Sequence, residues 1–164
     1  VRDIVAWASF VNETVSAGLG LDSYAAFAHG AYLVLLDGIG LGLSVPPAQA
    51  MQLKDQCEKF LRSALPAAVL PALDAAGVCA EEALVTPTRT AAGSFGASPF
   101  FIGLGPNAAV DGNNAGEEFD LRAPSTSRNA RRLLRAMQIR KPILLEGSPG
   151  VGKTSLVAAL ARAA

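Results

Sequence analysis

The residues with the clearest chemical potential form a short run near the end of the sequence, GSPGVGKT at positions 147–154. This run matches the pattern G-x-x-x-x-G-K-[ST] at every fixed position, with a further glycine at position 150. Glycine lets the backbone turn with its N–H groups inward, where a Cβ would hold phosphate oxygens away. The run therefore predicts a loop that binds the phosphate chain of a nucleotide.

Two side chains of this loop would complete the site. Lys153 would direct a full positive charge at the β- and γ-phosphates, and Thr154 would offer a hydroxyl to Mg²⁺. The predicted cofactors are ATP and Mg²⁺, with Thr154 as the metal ligand from this chain. The predicted cofactor-binding residues of the loop are Gly147, Ser148, Pro149, Gly150, Val151, Gly152, Lys153, Thr154 and Ser155.

A strand and a helix are expected to position the loop. The preceding run ILLE, at positions 143–146, is continuous and apolar, which is typical of a buried parallel strand. Apolar residues then recur at helical spacing, which predicts a helix from Lys153 through Leu156, Val157, Leu160 and Ala161. The N-terminus of such a helix stabilises an anion. This context disfavours the alternative, an ordinary glycine-rich turn between a strand and a helix.

Hydrolysis of a bound nucleotide requires more than this loop. It needs an acidic residue at the end of a later strand to hold Mg²⁺, and a group that orients the attacking water. The upstream carboxylates lie in poorly patterned segments, at Glu81, Glu82, Asp111 and Asp120. We therefore predict no catalytic residue within this chain, and no ATP turnover by these residues alone.

Composition limits the possible partners. The 164 residues carry 14 basic and 14 acidic side chains, so the formal net charge is zero, and we predict no direct nucleic-acid binding. The apolar runs are too short to span a bilayer, so no membrane contact is predicted. Cys57 and Cys79 are far apart and form no CxxC pair, so neither a zinc site nor a disulfide is indicated.

Basic residues are concentrated in one stretch, although the total charge is balanced. Two interpretations of this stretch stay open: a solvated helix face, or a surface for a partner or RNA. His29 lies within a helical pattern without a nucleophile nearby, which favours a packing role over catalysis. The basic stretch consists of Arg128, Arg131, Arg132, Arg135, Arg140 and Lys141.

Three helices are predicted in the first part of the chain. The first ends near Gly18, and the second follows a cap at Asp22 or Ser23 and stops at Asp37. The third begins at the Pro46–Pro47 pair and runs to about Ser63. Between positions 66 and 90, glycine, proline and threonine leave room only for a short helix.

The second part of the chain changes character. GSFGASPFFIGLG, at positions 93–105, predicts a strand or hairpin, and Pro99 would limit it to an edge of a sheet. Positions 105–118 read as a loop. A helix capped by Ser125 or Thr126 would then place Leu133, Leu134 and Met137 on its core side.

Several runs together resemble the midasin family, the very large dynein-related AAA+ ATPases with six tandem AAA modules. The resemblance implies an α/β fold, with a partial P-loop AAA+ module preceded by a helical lid segment and a mixed connector. The implied boundaries are 1–42 for the lid, 43–118 for the connector and 119–164 for the start of the next module. The runs are VRDIVAWASFVN, AFAHGAYLVLLDGIG, SPFFIGLG, APSTSRNARRLLRAMQ and KPILLEGSPGVGKTSL.

The resemblance also assigns residues. Arg2, within VRD, matches the sensor-2 arginine of the family, which approaches the γ-phosphate of a nucleotide bound to its own module. It would thus serve a different nucleotide from the one held by Lys153. The segment leading into APSTSRN would lie near the adenine. Ser125 stands where the family favours threonine, a departure that leaves the expected helix cap intact.

The implied activity is ATP-driven remodelling of precursors of the large ribosomal subunit, with release of assembly factors. The implied location is the nucleus, in nucleolus and nucleoplasm. The implied partners are neighbouring AAA modules of the same polypeptide and, through the full-length protein, pre-60S particles. Two alternatives stay open: another P-loop NTPase or kinase, and a module that binds nucleotide structurally without turnover.

Overall fold

The computed structural model describes residues 2–18, 20–40, 45–75, 86–105, 119–139 and 141–164. The chain forms two compact units, Val1–Glu81 and Glu82–Ala164. Among the described residues, no helix combines the length and apolar character needed to cross a membrane. The loop predicted at positions 105–118 falls outside these ranges from residue 106 onward, as do Glu81, Glu82 and Asp111.

The first unit is helical, as predicted. Helix α1 (Arg2–Ser16) ends before Gly18, whose φ of +65° is the left-handed conformation that favours glycine after a helix. Asp22 caps the next helix, α2 (Ser23–Ala31), because its Oδ1 accepts from the backbone N of Ala25 at 2.8 Å. The chain then continues into a π-helical turn, Tyr32–Leu36, in place of the single α-helix that the sequence predicted.

The remaining helices of the first unit also begin where the sequence indicated. Helix α3 (Pro47–Ser63) starts at the proline pair, since proline at a first helical position leaves no N–H unsatisfied. A 3-10 turn (Ala67–Val69) leads into the short helix α4 (Leu70–Ala75). Arg62 donates to both oxygens of Asp74, at 2.7 and 2.9 Å, and this contact lowers the pKa of the Asp74 carboxyl.

The core of the first unit joins all four helices. Gly30 lets α1 and α2 approach closely, because a Cβ there would lie 2.5 Å from Cδ1 of Trp7. The Trp7 ring packs against Phe27 and its indole N donates to the Phe27 carbonyl at 2.7 Å. Trp7 is half-buried and packs on the buried cluster of Ala25, Ala28, Ala31, Tyr32, Leu36, Leu61, Leu65 and Leu73.

The second unit contains a three-stranded antiparallel sheet of order β1-β2-β3. The strands are β1 (Thr88–Arg89), β2 (Ser94–Ala97) and β3 (Phe100–Gly103), so the predicted hairpin is confirmed. Strand β1 was not predicted, because two residues are too few to show alternation. The expectation that Pro99 limits the segment to an edge position holds for β3 but not for β2, which is the central strand of the described sheet. Pro99 itself lies in the turn between these strands, where no ladder hydrogen bond is required of it.

Two helices pack on this sheet, α5 (Pro124–Ala136) and α6 (Lys153–Ala163). The predicted caps Ser125 and Thr126 are wrong, because α5 begins at Pro124 with Ala123 as its N-cap, two residues before the nearer predicted cap. Leu133 and Leu134 are buried as predicted, whereas Met137 follows the end of the helix and is 42% exposed.

The predicted helix α6 is confirmed, and its buried face includes only part of the apolar set from which it was predicted. Val157 and Ala161 are exposed. The buried positions follow the i, i+3, i+4, i+7 spacing of one helical face, at Leu156, Ala159, Leu160 and Ala163. The sequence alone allowed two adjacent apolar faces, and the packing of the sheet and α5 selects one. The shared core consists of Phe95, Ala130, Leu133, Leu156, Leu160 and Ala163.

The predicted strand at positions 143–146 is wrong for this chain. The segment has no regular secondary structure and takes part in no ladder within the described residues, and Leu144 is 81% exposed. A strand needs a neighbour for its backbone groups, and the three strands of the described sheet are not paired with it. The fold is therefore a mixture of helices and a small antiparallel sheet.

The structure divides the predicted connector, residues 43–118, between the two compact units. Helix α3 shares its core with α2, and strand β2 shares its core with α5 and α6. The two ends of the 43–118 segment thus belong to different compact units. The division into lid, connector and next module stays a prediction.

Candidate nucleotide-binding site

The predicted phosphate loop lies between the segment at positions 143–146 and helix α6. Gly150 and Gly152 have φ angles of +79° and +81°, in the left-handed region where a side chain would be strained. A Cβ on Gly147 would lie 3.3 Å from Cγ2 of Val151, so the loop closes tightly on its first residue. The three glycines thus stand where the backbone turns most sharply or packs most closely.

Lys153 connects the two ends of the loop. Its Nζ donates to the carbonyl oxygens of Gly147 at 2.8 Å and Ser148 at 2.9 Å. An ammonium group carries three N–H donors, so these two bonds use two of them. The positive charge is therefore held over the loop, where a phosphate oxygen would meet it together with the backbone.

The start of α6 supplies the second anion-binding element. Gly152 is the residue before the helix, and Leu156 N makes the first intrahelical bond to its carbonyl at 2.9 Å. The backbone N–H groups of Lys153, Thr154 and Ser155 precede that bond, so they lack the usual helical acceptor. Together with the helix dipole they attract a negative charge. Thr154 and Ser155 are exposed, so their hydroxyl groups are accessible.

The metal expectation rests on Thr154 alone within this chain. Across the described ranges, no group of three or more histidine, cysteine or acidic residues is placed to hold a metal ion. A hydroxyl at the start of α6 and the oxygens of a bound phosphate chain suit Mg²⁺, which keeps few protein ligands. The residues present thus fit a metal that arrives with the nucleotide.

Comparison with known proteins gives the family. No family model matches the chain, and no solved structure matches it. Midasin from Dictyostelium discoideum is 36% identical over 172 aligned residues, which cover 99% of this chain. The chain belongs to the midasin family. Midasin from Giardia intestinalis is 56% identical over 43 residues, or 26% of this chain.

The chain spans only about 3% of the length of the Dictyostelium midasin and 1% of the Giardia midasin. Within this midasin-family chain, Arg2 begins α1 of the first unit with an exposed side chain. The phosphate loop lies in the second unit. The sensor role of Arg2 stays a prediction. His29 is 1% exposed within α2, which agrees with the predicted packing role.

One neighbour of the loop was missed by sequence reasoning. Cε2 of the half-buried Phe119 lies 3.9 Å from the position that a Cβ on Gly152 would occupy. Phe119 and Leu121 also pack on the core that α5 and α6 share. Their brief alternation before α5 was visible in the sequence, but the position of Phe119 near Gly152 depends on tertiary packing. The resemblance alone had suggested that this segment lies near the adenine.

The basic stretch on α5 is not a uniformly solvated helix face. Arg135 is only 7% exposed. Burial, followed by the nearby charge of Arg135, lowers the pKa of the Arg131 guanidinium. The interpretation as a solvated face is therefore wrong for these two positions, and the role of the stretch as a partner surface stays a prediction.

Proposed function

We propose that residues 147–155 bind Mg-ATP as part of an AAA+ mechanochemical ATPase. In this proposal the loop amides and Lys153 hold the phosphates, Thr154 contacts Mg²⁺, and the hydrolytic residues come from other parts of the full-length polypeptide. Bound ATP supplies the phosphoryl group whose hydrolysis drives the motor. The single observation that supports this proposal best is the Lys153 ammonium bonded to the carbonyls of Gly147 and Ser148 directly at the N-terminus of α6.

The family supports a more specific version. The full-length protein would remodel precursors of the large ribosomal subunit and release assembly factors in the nucleolus and nucleoplasm. Its partners would be neighbouring AAA modules of the same polypeptide and pre-60S particles. Arg2 would contact the γ-phosphate of a nucleotide in the preceding module.

A binding experiment on the full-length protein tests the site. Amide hydrogen exchange of peptides within residues 147–164 would be followed as Mg-ATP is added, because these peptides report on this loop alone. Lys153→Ala should raise the ATP concentration for half-maximal protection about tenfold to a hundredfold, the range of one or two charge-assisted hydrogen bonds. Lys141→Ala is the matched control, since it removes the same exposed charge outside the loop. Equal protection in all three proteins would refute the proposal.

The same variants distinguish the motor from a structural nucleotide site. If the site takes part in turnover, Lys153→Ala in the full-length protein should lower the rate of ATP hydrolysis and block pre-60S release. Unchanged turnover and release, with ATP-dependent protection lost, would favour a nucleotide bound only as a structural element.

A further inference from the structure

The three-stranded sheet of the second unit contacts helix α6, whose first turn belongs to the predicted phosphate loop. Arg89, on β1, donates from Nε to the carbonyl of Ala163 in the last turn of α6, at 2.9 Å. The backbone N of Gly105, just after β3, donates to the carbonyl of Ala164 at 2.6 Å. The Arg89 contact is chemically favourable, because a guanidinium N–H that donates to a carbonyl oxygen makes a charge-assisted hydrogen bond.

Apolar packing reinforces this contact. Phe95, on the central strand β2, is 4% exposed and belongs to the same buried cluster as Leu156 and Leu160 of α6. Strand β3 is held to the turn that follows α5, since Gln138 donates to the carbonyl of Phe101 at 3.2 Å. The sheet therefore contacts α6 through both a charged hydrogen bond, from β1, and a buried aromatic ring, from β2.

The phosphate loop is at the other end of this helix. Helix α6 is 11 residues long, and its first residue is Lys153. A short α-helix that is packed along one face moves as a rigid body, because close-packed interiors transmit displacement. A change in the contacts between the sheet and the last turns of α6 is thus transmitted to the backbone N–H groups of its first turn and to the Lys153 ammonium.

From these contacts we infer that the three-stranded sheet, through Arg89 on β1 and Phe95 on β2, positions α6 and thereby sets the affinity of the phosphate loop for nucleotide. Arg89 is a positioning residue, since it acts on the nucleotide through α6 and not by touching it. The inference rests on the proposed nucleotide binding. It assigns residues 88–103, counted with the connector in the sequence, a part in the nucleotide site.

The test uses the full-length protein and two exchange measurements on α6. The first is the Mg-ATP concentration that half-protects the amides of residues 147–156. The second is the exchange rate of residues 157–163 without nucleotide. Arg89→Ala should raise the half-protecting Mg-ATP concentration by about threefold to tenfold, because displacement of α6 would weaken a charge-assisted hydrogen bond between the loop and the nucleotide. The same substitution should also increase the exchange rate of residues 157–163 without nucleotide. Arg89→Lys should recover part of both effects, since an ammonium can still donate to Ala163.

Two further variants keep the test decisive. Lys141→Ala removes the same charge from an exposed residue of the same unit, and it should leave both measurements within about twofold of wild type. Phe95→Leu keeps an apolar side chain and should also weaken ATP protection, so the inference does not depend on Arg89→Ala folding. An unchanged half-protecting concentration in Arg89→Ala and Phe95→Leu would overturn the inference, even if α6 exchanged faster.

Failure of the proposed function would look different. In that case the wild-type protein would show no ATP-dependent protection for Lys153→Ala to remove. The positioning of α6 would then be judged from nucleotide-free exchange of residues 153–156. Faster exchange there in Arg89→Ala would support the positioning, and an unchanged rate would overturn it.

Discussion

Two apolar segments of the second unit have similar composition and opposite outcomes. In the hairpin, Phe95, Ala97 and Phe100 are all less than 5% exposed, and each strand has a partner. In the run at positions 143–146, Leu144 is 81% exposed and no strand pairs with it among the described residues. The difference lies in where the partners are in sequence, because β2 and β3 are joined by a two-residue turn.

This comparison shows what local sequence can accomplish. A hairpin satisfies its backbone groups within about ten residues, so its formation costs little loop-closure entropy. An isolated apolar run gains nothing from an extended conformation until another strand and a covering layer are present. Apolar patterning therefore predicts a segment that can become a strand, and pairing decides whether it does.

The largest loss of stability should come from adding a side chain at Gly96, where the hairpin has no room for one. A Cβ there would lie 2.1 Å from the carbonyl oxygen of Phe100, a backbone atom that cannot move away alone. Gly96→Ala should therefore cost about 4 kcal/mol or more and abolish slow exchange of the hairpin amides. Gly103→Ala is the matched control, because a Cβ at Gly103 meets nothing within 4 Å. Slow exchange retained in Gly96→Ala would contradict the observed register.

A smaller loss should follow from removing one buried ring. Phe100 is fully buried, so Phe100→Ala should destabilise the second unit by about 3 kcal/mol through lost transfer energy and the cavity left behind. Phe101→Ala, at the adjacent half-buried position, should cost clearly less. Amide exchange of β2 and β3 measures both. Equal losses at the two positions would argue against the assigned faces.

The unpaired run should respond weakly. In the 164-residue chain, Leu144→Ala should change the free energy of unfolding by less than about 0.5 kcal/mol, as expected for an exposed side chain without a specific contact. Leu134→Ala changes the same residue type at a fully buried position of α5 and should cost about 3 kcal/mol. Denaturant unfolding followed by circular dichroism compares them. A large loss at Leu144 would show that another segment covers it.

The smallest effect concerns a contact between residues two positions apart. The Asp120 carboxylate accepts from the backbone N of Arg122 at 2.9 Å and from its Nε at 3.2 Å, and these bonds lower the pKa of Asp120 below 3.8. A lowered folded-state pKa stabilises the fold above the ordinary value, and this contribution is lost as pH falls through the folded pKa. Titration of the Asp120 carboxyl carbon by NMR should give a midpoint below 3.8, moving upward in Arg122→Ala. An ordinary midpoint in the wild type would contradict the contact.

Much of the local structure could be predicted because it is encoded within a few residues. The cap at Asp22, the start of α3 at Pro47 and the hairpin with Pro99 between its strands depend on side chains acting on their own backbone. The phosphate loop belongs to the same class, because glycine placement defines its conformation before any distant residue is considered. The error of two or three residues at the start of α5 reflects competition between two local signals, proline and the Ser–Thr pair.

The remaining features required the tertiary structure. The buried face of α6, the burial of Arg135, the position of Phe119 near Gly152 and the bond from Arg89 to Ala163 all join residues that are distant in sequence or choose between equivalent faces. By itself the sequence determined the helices, the hairpin and the glycine-rich loop, since their interactions are short-range. Only the tertiary structure decided which apolar surfaces are covered, because burial depends on contacts with residues that are distant in sequence, and hydrophobic periodicity does not identify those residues.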